Sequence, residues 1–184
     1  MGWIAGAAGL AFGGALTLLA TFFATKNERF DRVAEWLFVA FAALAIPVIV
    51  AVAGRLTSEG PTVGIVSGVG IVGVAIVGLG ELGSSLKLVD FRRIAPAMTI
   101  GFLAFLAWIG AVSILTITGG GLPASLGWFG LGTIAIGITI VLWIVRVPGV
   151  ITGEREPKPG QMTVFFVPMA GIVAWMIWLG LNLA

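Results

Sequence analysis

Residues 62–93 read TVGIVSGVGIVGVAIVGLGELGSSLKLVDFRR, and the reading of this stretch decides the fold. From Thr62 to Gly80 no charged residue occurs; Glu81 then interrupts the run, and Lys87, Arg92 and Arg93 follow. A helix that crosses the hydrocarbon of a bilayer needs about 20 mostly apolar residues. The run has that length and ends in a basic turn. Its apolar side chains are continuous and do not alternate with period two, so a helix is expected rather than a barrel strand.

Five other runs have the same form. The expected spans are residues 3–25, 33–54, 62–82, 94–117, 126–147 and 162–183, in one domain covering 1–184. The expected fold class is an all-α integral membrane protein with six transmembrane helices. Composition agrees: 59% of residues are hydrophobic and 10% charged, against roughly 45–50% and 25% in soluble domains. So few charges cannot cover a soluble core, and the expected partner of most of this surface is the lipid bilayer.

The basic residues give the spans a direction. Lys26, Arg29 and Arg32 lie in residues 26–32, Lys87, Arg92 and Arg93 in residues 83–93, and Arg146, Arg155 and Lys158 around residues 148–161. Only Arg55 falls at the opposite ends of the spans. By the positive-inside rule these three loops are expected to be cytoplasmic and both termini outside, in a prokaryotic cell membrane. Trp3 and Trp128 then fall near the outer boundary, and Trp36 and Trp143 near the inner one, where an indole meets both lipid and water. Trp108 is near mid-span, so it is expected to pack inside the bundle or face a cavity. The first run has no basic segment before it and reads as a retained span, not a cleaved signal. Gly2 lacks the Ser or Thr at position 6 that myristoylation requires, Gly6 being there instead.

Much chemistry is missing. The chain has no cysteine, no histidine and no tyrosine, which removes thiolate and imidazole metal ligands, the usual haem ligand and the side chain that titrates near neutral pH. No cofactor is expected, and an enzyme is disfavoured because only hydroxyls and a few carboxylates remain to act as nucleophile or base. The basic residues form no continuous face, so a nucleic-acid partner is not expected either.

The first, third and fifth spans are rich in glycine, while the second, fourth and sixth carry large aromatics. Each odd–even pair forms a hairpin of about sixty residues with a charged turn. Three hairpins around a pseudo-three-fold axis is one reading of this pattern; the other is that any six-span chain divides into three hairpins. Asp31-Arg32 in the first turn is matched with Asp90-Phe91-Arg92 in the second. The pairs Gly2 and Gly6, Gly9 and Gly13, and Gly64 and Gly68 place small residues one turn apart, a spacing that lets a second backbone approach closely. Packing within the monomer is the first expectation, and a homo-oligomer or partner membrane subunit the second.

The candidate transport path rests on a few polar residues. Glu81 sits in Gly78-Leu79-Gly80-Glu81-Leu82-Gly83-Ser84-Ser85, where glycines would let the helix unwind and present carbonyls beside the carboxylate and the hydroxyls of Ser84 and Ser85. The plainer reading has Glu81 reach the headgroups and pair with Lys87 or Arg92. Glu35 is expected to pair with Arg32 or with a base from another turn. Pro47 and Pro168 lie inside spans, where each removes a backbone hydrogen bond. Thr17, Thr21 and Thr25 recur every fourth residue; they either line a path or bond back to carbonyls one turn earlier. Ser113, Thr116 and Thr118 pose the same choice in the fourth span.

Two functions follow: a channel or transporter for an ion or small molecule, or a non-catalytic membrane subunit or scaffold. A continuous polar path reaching Glu81 favours the first. A dry core with an exposed small-residue groove favours the second.

Overall fold

The computed structural model describes the backbone of residues 1–56, 60–145 and 159–184, and side chains of these residues except 140–145 and 159–165. Six helices account for nearly all of it: α1 (Gly2–Thr25), α2 (Glu28–Arg55), α3 (Thr62–Ser85), α4 (Phe91–Gly119), α5 (Ala124–Val145) and α6 (Pro159–Asn182). No strand occurs among the described residues. Helices α1 to α4 are long and apolar enough to cross a membrane, and the described parts of α5 and α6, Ala124–Thr139 and Phe166–Asn182, are shorter apolar helices. Their backbones extend over 22 and 24 residues. At about 1.5 Å rise per residue this matches a hydrocarbon core of about 30 Å.

Each helix packs on the next, and α6 closes back onto α1, so three consecutive hairpins form a ring. One end of the ring carries the α1–α2 and α3–α4 turns and is here named the basic end; the opposite end carries the termini. Helix α2 begins five residues before the span expected from hydropathy, because a helix can continue past the hydrocarbon once its end is capped. Asn27 supplies that cap, its Oδ1 accepting from the Arg29 N–H at 3.1 Å, with Glu28 and Asp31 in the first turn where the helix dipole favours negative charge. Asp90 caps α4 identically, accepting from the Arg92 N–H at 2.9 Å.

The preceding helices also end alike. Lys26 (φ 54°) and Lys87 (φ 56°) both adopt the left-handed conformation, and both close their helix with a bond from their own N–H: Lys26 to the Phe22 carbonyl at 2.6 Å, Lys87 to that of Ser84 at 2.8 Å. The equivalent residues of the first two turns are therefore Lys26, Asn27 and Arg29 with Lys87, Asp90 and Arg92. This corrects the match of Asp31-Arg32 to the second turn: the cap, which needs a short side chain in extended backbone, sits four residues earlier. The third turn lies outside the described residues.

The interior is filled by aromatic rings reaching across the ring of helices. Phe12 of α1 meets Phe41 of α2 at 4.6 Å between centroids, and Phe41 meets Phe105 of α4 at 5.6 Å. Phe105 stacks on Trp108 at 5.5 Å, and Trp108 meets Trp175 of α6 edge to face at 5.8 Å. All five are buried. Helices α2, α4 and α6 are not neighbours in the ring, so contacts among their side chains close the centre of the bundle.

Glycine sets how closely the outer contacts form. A Cβ on Gly73 would lie 2.6 Å from the Gly101 carbonyl oxygen, and one on Gly101 would lie 2.7 Å from that of Gly73. The backbones of α3 and α4 thus touch directly at this crossing. Gly73→Ala should lower the unfolding temperature in detergent by several degrees, the overpacking cost being about 1–3 kcal/mol. Gly64→Ala, whose added methyl meets nothing within 4 Å, should leave it within about a degree; equal effects would contradict the crossing.

Candidate functional site

Three carboxylates, those of Asp31, Glu35 and Glu81, gather at the basic end between α2 and α3. Gly78 opens onto Ala42, its missing Cβ being 2.6 Å from the alanine methyl, while Gly80 opens onto Met98 of α4. One turn beyond Gly78, Glu81 comes near Glu35 and Asp31 of α2, both close enough to repel its charge. Arg32 attracts the Glu35 carboxylate, and Ser85 lies beside it. Ser85 Oγ is buried without a hydrogen bond of ordinary geometry. No base pairs with Glu81 among the described residues, so the expected pairing with Lys87 or Arg92 is not what the structure has. Glu35 feels the charge of Arg32 but forms no ion pair with it, so the expected pairing is not made.

The glycines around Glu81 do not unwind the helix. Helix α3 continues through Gly78, Gly80 and Gly83 to Ser85. Beyond it the Leu82, Gly83 and Ser84 carbonyls accept from the N–H groups of Leu86, Leu88 and Lys87. Packing against Ala42 and Met98 supports the helix on two sides, and the Leu82, Gly83 and Ser84 carbonyls are taken up by the backbone. The site is therefore an acidic group of side chains, without the oxygen cage the glycines suggested. It does not assemble into a metal-binding cluster among the described residues.

The other candidates divide by position. Thr17 faces outward, and the hydroxyls of Thr17, Thr21 and Thr25 donate to the carbonyls of Gly13, Thr17 and Thr21 at 2.9, 2.8 and 2.8 Å. They are satisfied by their own helix. Pro47 lies within α2 and Pro168 within α6, neither ending its helix. Ser84 is half-buried, and its carbonyl helps end α3. Gly2, Gly9 and Gly13 face Gly180, Ile177 and Val173 of α6. Gly6 offers its backbone to Gly180 while its own missing side chain points into open space, and Gly64 and Gly68 have nothing within 4 Å. That last pair marks an exposed groove on α3, flanked by exposed Ile65, Val69 and Val72.

A second polar group lies toward the end that carries the termini. Trp108, Ser113 and Thr116 are 1%, 1% and 2% exposed, yet Trp108 Nε1, Ser113 Oγ and Thr116 Oγ1 have no hydrogen-bond partner. Thr99, Thr118, Thr133 and Thr139 instead bond back one turn. Ser113 Oγ is pressed against Gly130 of α5, where a Cβ would collide with it and would also lie 2.8 Å from Trp175 Nε1. That indole donates to the Leu126 carbonyl at 3.2 Å. The sequence signalled Trp108 by its mid-span position, but nothing local foretold the Gly130, Ser113 and Trp175 junction, which joins three helices. Because an unpaired buried hydroxyl costs about 1–3 kcal/mol, Thr116→Val should raise the unfolding temperature. A fall of several degrees would show that this hydroxyl has a partner.

Comparison with protein-family models, with curated proteins and with solved structures gives no match.

Proposed function

We propose that this chain is a non-catalytic membrane subunit that packs against another membrane helix through the exposed face of α3. The observation that carries the reading is the closed centre: the rings of Phe12, Phe41, Phe105, Trp108 and Trp175 fill the space where a path would run. The groove at Gly64 and Gly68 adds to it. Small residues there let a partner backbone approach, and in lipid such close packing takes the place of the hydrophobic effect.

A second reading, transport of protons or a cation, is favoured by the carboxylates of Glu81, Glu35 and Asp31, which share one end of the bundle with no base against Glu81. One pair of measurements separates the two. Extracted in native-membrane nanodiscs, the chain should run in an assembly larger than a monomer, and Gly68→Leu should return it to monomer. Reconstituted alone in liposomes, it should show proton and cation leak no greater than empty vesicles. Flux above that background that Glu81→Gln abolishes, or a monomer in native membranes, contradicts the subunit reading.

A further inference from the structure

The α3–α4 turn leaves apolar and basic side chains exposed together in a rigid frame. Lys87 N–H bonds to the Ser84 carbonyl at 2.8 Å, and Leu88 N–H bonds to the Gly83 carbonyl at 2.9 Å. With Lys87 left-handed, these bonds form a Schellman closure. Such a closure usually seats the apolar residue at the Leu88 position on the side chain that occupies the Gly83 position. Glycine offers it none, and Leu88 is 74% exposed. Phe91 is 51% exposed, with Leu86 and Val89 also outward. Interleaved with these four are Lys87, Arg92 and Arg93, all exposed. Arg29 and Arg32 of the adjoining α1–α2 turn are exposed as well, and the approach of Arg32 and Ser85 to Glu35 places the two turns side by side.

We infer that the α3–α4 turn is a binding surface for anionic phospholipid, with Leu88 and Phe91 entering the boundary between headgroups and acyl chains and Lys87, Arg92 and Arg93 meeting the phosphates. Charge and position name this occupant. The turn directly follows a helix that is long and apolar enough to span, so its apolar side chains lie at the depth of the headgroups, where juxtamembrane basic residues are drawn to negative lipid. Lysine is also a poor residue for a left-handed position, which glycine or asparagine normally takes. At Lys87, whose side chain is exposed, that choice is accounted for by the use of the ammonium. The inference is independent of whether the chain assembles with a partner or transports an ion.

The test reconstitutes the full chain in nanodiscs of phosphatidylcholine with and without phosphatidylglycerol. The anionic lipid should raise the unfolding temperature by several degrees, and added salt should shrink that shift. Lys87→Gly should unfold no earlier than the wild type in neutral lipid, since glycine relieves the left-handed backbone, while losing part of the shift; the further changes Arg92→Gln and Arg93→Gln should abolish it. Arg55→Gln, at the opposite end, should retain it. The native chain has no cysteine, so a nitroxide on Leu88→Cys reports depth directly. It should collide more with oxygen than with a water-soluble nickel chelate, whereas one on Glu28→Cys should do the reverse. A wild type indifferent to phosphatidylglycerol, a triple variant with the full shift, the same shift from inorganic phosphate in neutral lipid, or an aqueous label at position 88 overturns the inference.

Discussion

In hydrocarbon there is no water to accept a backbone hydrogen bond, and every N–H and C=O must find its partner within the protein. This constraint shapes more of the chain than its hydropathy alone. It keeps α3 helical through a run of glycines that would weaken a helix in water, because an unwound turn would strand carbonyls beside lipid. Threonine hydroxyls obey the same constraint, folding back onto carbonyls of their own helix along α1. Helices are allowed to stop only at their ends, where left-handed lysines and Asx caps satisfy the last carbonyls and first amides.

With the backbone satisfied inside each helix, association is left to shape. Glycine lets α3 and α4 touch at Gly73 and Gly101, and α1 and α6 touch at Gly2 and Gly180. The space enclosed by these close contacts is filled from α1, α2, α4 and α6 by aromatic rings. The result is a bundle tight at its seams and plugged at its centre, with the carboxylates of Asp31, Glu35 and Glu81 together at one end. That distribution favours a structural role over a path for solutes.

The helices were legible in the sequence because the need for about 20 apolar residues acts on each run separately. Which glycines would meet another helix was not. Gly64 and Gly68 have the spacing of a packing motif yet face outward, whereas Gly101, with no glycine four residues away, meets Gly73. Spacing identifies a stripe, and only the neighbouring helices decide whether it points inward. Glu81 was found because a charge in a span is conspicuous, but its neighbours Glu35 and Asp31 belong to another helix, and their approach depends on the register at Gly78 and Ala42. The lysine that ends α1 and α3 carried no local signal, since lysine has no preference for that conformation.

The middle of the bundle is closed by the rings of Phe12, Phe41, Phe105, Trp108 and Trp175, and water access to single cysteines along α4 reads this out. With a small membrane-impermeant thiosulfonate applied from both sides, Arg92→Cys and Gly119→Cys should react, and Phe105→Cys, Ile109→Cys and Val112→Cys should not. A continuous reactive stripe from position 98 through 105 and 109 to 116 would contradict the closed centre and restore a path through the bundle.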